Sequence, residues 1–210
     1  ADGTIYFSDH QCNSVFRIDN TGVITTAAGS CRNSASCDEP TKKSGTIDKL
    51  ELNLPEGIAL SSSGDIYVAD TRHDRVIKVT PTGSYERIAG TGSSPSGSWY
   101  NGDGDDASAI DMASPRRLAI GADNTIYISM CERGYLVEYS GIFAVAPDGS
   151  IRTIAGDNNL YDADITDSDD LSRVALAKTT PIYCAAGMTA GKNSGLYFAE
   201  EGNHKVKIID

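Results

Sequence analysis

Residues 54–70, LPEGIALSSSGDIYVAD, decide the fold of this chain. They hold two strand-length apolar segments, Leu54–Leu60 and Ile66–Asp70, around the turn sequence SSSGD, in which glycine tolerates the positive φ that a tight connection needs. Two more such segments follow, Arg75–Val79 and Tyr85–Gly90, with PTG between them. Four short strands separated by turn signals predict one antiparallel sheet.

The same unit recurs along the chain. Its second strand is a short apolar segment with tyrosine in the second position, and these tyrosines, spaced by 61, 60 and 70 residues, are Tyr6, Tyr67, Tyr127 and Tyr197. The fourth strand ends in Ala-Gly in three copies, at Gly29, Gly90 and Gly156. A multi-strand unit that repeats at a nearly constant period is typical of a radial array of β-sheets. The sequence therefore predicts the blades of an all-β propeller.

The motifs of this unit resemble those of the NHL repeat. The second copy has three of them in order, PEGIA at 55–59, DIYVAD at 65–70 and HDRV at 73–76, and the last copy has NHKV at 203–206. The connector YNGDGD at 100–105 is similar to the long connector of one NHL subgroup. The resemblance covers nearly the whole chain, and its specificity comes from the order of the motifs rather than from any one of them.

This resemblance implies a β-propeller of four-stranded antiparallel blades, with about four blades present as part of a six-bladed ring. A complete four-bladed ring is the alternative. The third copy departs from the pattern at Met130–Gly134 and carries an expected insertion at Cys131–Tyr139, and the fourth has Glu200 in place of Asp. The predicted division of this single domain is a partial blade at 1–29, a connector with a cysteine loop at 30–52, a blade at 53–90, a connector at 91–112, a blade at 113–156, an acidic connector at 157–180 and a partial blade at 181–210.

Acidic residues outnumber basic ones, and the formal net charge is −11. Because nucleic acids are polyanions bound mainly by basic surface, this balance argues against a nucleic-acid partner. No apolar run approaches the ~20 residues that a membrane-spanning helix needs, so no membrane span is predicted in this segment. The chain is expected to be either a mature product or a piece of a larger protein.

The cysteines favour an oxidising compartment. Cys31 and Cys37 close a short polar loop and are predicted to form a disulfide, with a metal pair as the alternative. Cys12 and Cys131 each follow the tyrosine-bearing strand of their blade, so a bridge between them is conceivable. Cys184 falls within a first strand and is expected to be a buried thiol. The predicted location is extracellular or the lumen of the secretory pathway.

Catalytic motifs are missing from the sequence. It contains no G-x-S-x-G, no H-E-x-x-H, no P-loop and no dinucleotide-binding glycine motif in its proper context. His10, His73 and His204 all follow a tyrosine-bearing strand. They could form a metal or acid–base cluster, but the favoured interpretation is a repeat position whose side chain braces the turn.

Oxygen-bearing side chains alternate at Asn101, Asp103 and Asp105, as in the first half of a calcium loop. Met112 stands where the closing glutamate of such a loop would be, so a structural turn is favoured and a structural calcium ion is the alternative. No other cofactor is predicted.

The favoured function is that of a non-catalytic, extracellular propeller, a scaffold that binds other proteins or glycans within a larger assembly. The alternative is a metal-dependent propeller enzyme, of the lyase or of the lactonase or hydrolase type, with an ion held by Asp9, Asp70 and Glu200 at the ends of equivalent strands. RNA binding is disfavoured by the net charge. The candidate binding residues, all expected in loops of one propeller face, are Glu56, Arg72, His73, Arg116, Arg117, Glu132, Glu201 and His204.

Overall fold

The computed structural model describes residues 3–29, 37–95, 103–133, 138–156, 182, 184–191, 195–201 and 204–209. In this part of the chain, fifteen β-strands form four antiparallel sheets that follow one another along the sequence. The same residues hold two short 3-10 turns, Thr71–His73 and Ala107–Ala109.

The first two sheets contain three and five strands. The first has the order β1-β2-β3, with strands β1 (Ile5–Asp9), β2 (Ser14–Ile18) and β3 (Ile24–Ala28). The second has the order β4-β8-β7-β6-β5, with strands β4 (Ser44–Thr46), β5 (Pro55–Leu60), β6 (Ile66–Asp70), β7 (Arg75–Val79) and β8 (Ser84–Ala89).

Strand β4 lies in a segment for which the sequence predicted only a connector. It pairs with β8 at the outer edge of the second sheet, where Gly45 is opposite Tyr85. Its sequence, SGT, has no apolar alternation and therefore no strand signal. Glycine allows the close approach, because a Cβ at Gly45 would lie 2.8 Å from Tyr85 Cε1.

The other two sheets contain four and three strands. The third has the order β12-β11-β10-β9, with strands β9 (Pro115–Ile120), β10 (Ile126–Arg133), β11 (Glu138–Val145) and β12 (Ile151–Ala155). The fourth has the order β13-β14-β15, with strands β13 (Ala185–Ala190), β14 (Leu196–Glu200) and β15 (Lys205–Ile209).

The expected insertion at Cys131–Tyr139 extends a hairpin of the third sheet. Cys131 pairs with Ser140, and the ladder continues to the pair Arg133 and Glu138. The residues between them, 134–137, lie outside the described part of the chain. The inserted residues lengthen β10 and β11 because they continue the antiparallel register of the two strands.

Four strands, one from each sheet, form the inner edges of the sheets. These strands are β5, β9 and β13, the first strands of their units, and β1, the tyrosine-bearing second strand of the first unit; each contacts the next one along the chain. Gly57 permits the contact between β5 and β9, because a Cβ there would lie 2.4 Å from the Arg116 carbonyl oxygen. Successive antiparallel sheets that meet along their inner edges are the blades of a propeller, and the predicted fold class is confirmed.

Apolar cores fill the spaces between neighbouring sheets, and the repeated tyrosines take part in them. Tyr6, Tyr67 and Tyr127 pack against the clusters of the first, second and third junctions, respectively. Tyr197, in the fourth sheet, is 44% exposed. The tyrosine period seen in the sequence therefore reports one packing position, the face that each sheet turns toward the following one.

The Ala-Gly ending has a steric cause. Gly29, Gly90 and Gly156 have φ values of 80°, 76° and 101°, a region that side chains disfavour. A Cβ at these glycines would lie 2.4, 2.3 and 2.7 Å, respectively, from the backbone oxygens of Asn13, Asp74 and Ser140. No larger residue fits between the end of the last strand and the neighbouring backbone.

Candidate functional site

Three of the candidate binding residues meet at the inner strands and form what we term the Arg–Glu cluster: Glu56, Arg116 and Arg117. Arg116 Nε donates to both carboxylate oxygens of Glu56 at 2.9 Å, and Arg116 Nη2 lies 2.9 Å from Glu56 Oε1. Arg117 Nη1 donates to Glu56 Oε2 at 2.9 Å. One carboxylate therefore binds two guanidinium groups that belong to a different sheet.

A β-bulge explains how two consecutive arginines reach the same carboxylate. Side chains of successive strand residues normally point to opposite faces. In the pairing of β9 with β10, Arg117 is opposite Ser129 and Pro115 is opposite Met130, so Arg116 is the extra residue of a bulge. A bulge bends the strand and redirects its side chains, which is why such irregularities are frequent beside functional sites.

A β-bulge of the same kind occurs at the start of the inner strands β5 and β13. In β5 the pairing skips Glu56 and Gly57, and in β13 it skips Ala186. Arg117 Nε donates to the Ala186 carbonyl oxygen at 2.6 Å, and Ser8 Oγ donates to the Glu56 carbonyl oxygen at 2.6 Å. Through these bonds the Arg–Glu cluster connects the inner strands of all four sheets.

The Arg–Glu cluster is open to solvent and carries a net positive charge. The Glu56 side chain is 22% exposed, and those of Arg116 and Arg117 are 29% and 33% exposed. Two guanidinium groups share one carboxylate, so one positive charge is left over in a chain whose net charge is −11. Guanidinium groups in this setting can bind a further planar anion.

A disulfide lies directly beside the Arg–Glu cluster and corrects two expectations. Cys131 is bonded to Cys184, with 5.3 Å between their Cα atoms, so Cys184 is not a thiol and Cys131 is not bridged to Cys12. Cys12 is a free, half-buried cysteine. The longer β10 carries Cys131 past its last pair with β9, which is Met130 with Pro115, toward the start of β13, and the repeat pattern in the sequence did not reveal this proximity. Arg116 Nη1 lies 3.9 Å from Cys131 Sγ.

Cys37 is also disulfide-bonded. Its predicted partner, Cys31, lies outside the described residues, so the pairing of these two cysteines stays a prediction.

For the remaining candidate residues, the structure gives no side-chain contact with the Arg–Glu cluster among the described residues. Arg72 is exposed on the 3-10 turn, and His73 in the same turn places Nδ1 3.0 Å from Asp70 Oδ2. Glu201 and His204 are exposed in the loop after β14. Glu132 belongs to β10, and the structure does not describe its side chain.

The three histidines do not occupy one repeat position, contrary to the expectation. Counted from the last residue of the preceding strand, His10, His73 and His204 stand at the first, third and fourth positions. The counterparts of His204 are Asn13 and Asp74, and all three residues have φ near 50°. The position is therefore selected by its left-handed backbone, which asparagine and aspartate tolerate, and not by imidazole chemistry.

The acidic residues at the strand ends brace their own sheets. Asp70, fully buried, accepts hydrogen bonds from Arg75 Nε at 2.8 Å and from the Asn53 amide at 2.7 Å. Glu200 Oε2 lies 2.6 Å from Lys207 Nζ. The Cys12 amide bonds to Asp9 and lowers the pKa of its carboxyl. Within the described ranges, no group of three or more His, Cys, Asp or Glu residues could hold a metal ion, so the predicted ligand set Asp9, Asp70 and Glu200 is not brought together.

The connector at 91–112 is bonded to the third sheet through its acidic residues. Asp103 Oδ1 accepts bonds from the Thr153 amide at 2.6 Å and from Thr153 Oγ1 at 2.9 Å, and the Asp105 carbonyl accepts one from the Ile151 amide. These hydrogen bonds agree with the favoured interpretation of this loop as a structural turn. Asn101 lies outside the described residues, and calcium binding stays a prediction.

Sequence reasoning missed Arg75, whose side chain is 1% exposed. Besides Asp70, it donates from Nη1 to the Pro40 carbonyl at 2.6 Å and from Nη2 to the Glu51 carbonyl at 2.8 Å. Arg75 thereby anchors the connector of residues 30–52 to the second sheet. The sequence signal was the arginine in an otherwise apolar strand, R-V-I-K-V at 75–79.

No helix in the described part of the chain is both long and apolar enough to pass through a membrane.

Comparison with solved structures places the fold among propeller proteins. An auxiliary nutrient binding protein from Bacteroides ovatus superposes with a TM-score of 0.59 at 18% identity, covering 100% of this chain and 46% of that one. A gluconolactonase from Xanthomonas campestris gives 0.58 at 16% identity, with 99% and 55% covered. The virginiamycin B lyase of Staphylococcus aureus gives 0.53 at 16% identity, with 100% and 53% covered. The chain thus spans about half the length of these proteins, and the likeness concerns the fold alone.

Sequence comparison identifies the family. No curated protein sequence matches the chain. The family model described as the teneurin NHL domain matches residues 1–210, which is the whole chain. The four sheets with their repeated tyrosines and glycines agree with this match, and the chain belongs to the teneurin NHL domain family.

Proposed function

We propose that this chain is a non-catalytic, extracellular interaction module, a segment of a larger protein that binds other proteins or glycans through its propeller face. The observation that carries the proposal is the Arg–Glu cluster. It is partly exposed, it is shared by the inner strands of all four sheets, and it has a leftover positive charge. Arginine is enriched at the centres of protein interfaces, where its planar fork and its low hydration favour binding.

The extracellular location is supported by the disulfide between Cys131 and Cys184 and by the membership of the teneurin NHL family. Disulfides form and persist in oxidising environments and are rare in the cytosol. Cys37, a second disulfide-bonded cysteine, has the same implication.

A binding screen tests the proposed function. The chain is immobilised and exposed to arrays of extracellular protein domains and of glycans, and each hit is repeated with Arg116→Gln/Arg117→Gln. The matched control is Arg17→Gln/Arg152→Gln, which makes the same charge change at two exposed arginines that are not candidate binding residues, on β2 and on the outer strand β12. We expect at least a tenfold loss of affinity for the cluster variant, because central interface arginines contribute about 2 kcal/mol or more. Hits that the control weakens equally would contradict the proposed site.

A metal-dependent enzyme is the second candidate. Its support is that two of the structural neighbours are a lyase and a gluconolactonase. Against it, Asp70 and Glu200 are engaged by basic side chains of their own sheets. Elemental analysis of the purified chain combined with a lactone hydrolysis assay tests this candidate. A stoichiometric divalent ion and turnover that stops on its removal would favour the enzyme over the interaction module.

A further inference from the structure

The guanidinium of Arg117 has one nitrogen, Nη2, without an acceptor within the part of the chain that the structure describes. Its Nε is bonded to the Ala186 carbonyl, and its Nη1 is bonded to Glu56 and to the Arg116 carbonyl oxygen. No acceptor from the described residues reaches Nη2. The side chain is 33% exposed, so an incoming group can approach this nitrogen from solvent.

The arginine fork is held in place before any ligand arrives. Two backbone carbonyls, at Ala186 and Arg116, and the Glu56 carboxylate fix the guanidinium plane of Arg117. Side chains that are already ordered lose little conformational entropy when a ligand binds. Ala186 itself is exposed, and a Cβ added at the next residue, Gly187, would meet no atom within 4 Å. The space beside the fork is therefore open.

The charge balance selects the ligand. Arg116 and Arg117 carry two positive charges against one negative charge on Glu56, so a single added anionic charge neutralises the Arg–Glu cluster. A phosphate dianion would overshoot this balance beside Glu56. A polyanionic glycan would in addition be repelled by a chain with net charge −11. A carboxylate has one charge, and one of its oxygens can accept a charge-assisted hydrogen bond from Arg117 Nη2.

We propose that the Arg–Glu cluster is a docking site for the carboxylate of a single Asp or Glu side chain in an otherwise uncharged segment of a protein partner. The incoming carboxylate accepts a hydrogen bond from Nη2 of Arg117 and shares the arginine pair with Glu56. This inference rests on the proposed interaction function, which it deepens by naming the chemistry of the partner.

A peptide titration tests the docking site. The probe is the blocked pentapeptide acetyl-Ala-Ala-Asp-Ala-Ala-amide, its Asn counterpart is the control, and the readout is the arginine Nε–Hε resonances of the full chain. We expect saturable shifts of the Arg117 resonance by the Asp peptide, with a Kd on the order of millimolar, weaker in high salt. The Asn peptide is expected to leave the resonance in place.

Two variants distinguish a docking site from an ion-pair cluster that only holds the sheets together. Glu56→Gln removes the competing carboxylate and is expected to tighten binding by about three- to fivefold. Arg117→Gln is expected to abolish binding, and Arg152→Gln, on the outer strand β12, to leave it unchanged. Arg117→Lys, which keeps the charge but lacks the fork, serves if Arg117→Gln does not fold, and it is expected to bind several-fold more weakly than the wild type.

Several outcomes would overturn the inference: equal shifts by the Asn peptide, binding unaffected by Arg117→Gln, weaker binding in a folded Glu56→Gln, or tighter binding of inorganic phosphate than of the Asp peptide. If the peptide fails while a partner from the screen still needs Arg117, the carboxylate assignment falls and the interaction module stands. If the peptide binds and the screen yields no partner, the carboxylate assignment stands and the proposed interaction function falls.

Discussion

At the first two junctions between sheets, one polar side chain of the preceding sheet accepts a hydrogen bond from the backbone that enters the next sheet, whereas the third junction is held by a covalent bond. Asn13 Oδ1 accepts from the Leu54 amide at 2.8 Å, and Asp74 Oδ1 accepts from the Ser114 amide at 2.9 Å. Between the third and fourth sheets the structure has the disulfide of Cys131, at the corresponding end of the ring.

The difference has a local cause. In the first two junctions the acceptor and the donor residue both have φ between 45° and 50°, because each sits in a tight turn. In the third sheet the hairpin continues past this point, and Cys131 is paired within the ladder. Lengthening the hairpin thus removes the turn on which the polar contact depends. The fold therefore tolerates the loss of the polar contact at the junction where a disulfide joins the two sheets.

The largest loss of stability is expected from substitution of Arg75, which follows Asp74, the acceptor residue of the second junction. Arg75→Met leaves the buried Asp70 carboxylate without its guanidinium partner, and we expect it to lower the free energy of unfolding by about 3–5 kcal/mol. Urea unfolding followed by circular dichroism measures it. Arg72→Met, at an exposed site, should change the value by less than about 0.5 kcal/mol. A loss below about 1 kcal/mol for Arg75→Met would contradict a stabilising role of the buried pair of Arg75 and Asp70.

Removing the disulfide of the third junction is expected to cause the second-largest loss of stability. The double variant Cys131→Ala/Cys184→Ala opens a loop of 53 residues in the unfolded chain and should lose about 2–4 kcal/mol. The urea midpoint of the non-reduced variant is compared with that of the wild type. Replacement of the free Cys12 by Ala is the matched control and should have the smaller effect. An unchanged midpoint in the double variant would show that the third junction does not need its disulfide.

The polar contacts of the first two junctions should each be worth less than the disulfide. Asn13→Gly and Asp74→Gly delete the acceptor while they keep the left-handed backbone available, and each should cost about 1–2 kcal/mol. Asp74→Asn retains an acceptor oxygen and should cost less than Asp74→Gly. Clearly unequal costs of the two glycine variants would break the equivalence of the two junctions.

The smallest effect is expected from acid, which acts on carboxylates and leaves the cross-link intact. The hydrogen bond from Lys42 lowers the pKa of Asp38, and the backbone amide of Ser150 lowers that of Asp148, from an ordinary value of 3.8. Because these pKa values are lower in the folded state, their stabilisation is complete above about pH 4 and is lost as the pH falls further. Urea midpoints between pH 7 and pH 3 should therefore decrease, and less so in Asp38→Asn. An equal decrease in that variant would assign the acid sensitivity to other groups.

The fold could be predicted because its signals are local and repeated. Tyr67 and Gly90 each represent a position that recurs in the repeated unit. The tyrosine packs against the core at a junction between sheets, and the glycine lies against a neighbouring backbone where no Cβ fits; both contacts recur in successive sheets. The candidate site was predicted only in part, because which loop residues meet depends on bulges that shift the register of β5 and β9. Arg72 and Arg117 looked alike in the sequence, yet only Arg117 reaches a neighbouring sheet.

The repeat, the strand type and the all-β architecture could be read from the sequence, since they follow from periodicity, turn residues and steric demands that act within a few residues. The contact of Cys131 with Cys184, the edge strand Ser44–Thr46 and the binding of Glu56 to two arginines of another sheet became known only from the three-dimensional structure. The cause is separation along the chain, because each of these contacts joins residues about 40 or more positions apart. The disulfide and the Arg–Glu contacts depend on how neighbouring sheets pack, and the edge strand depends on how a connector returns to its own sheet.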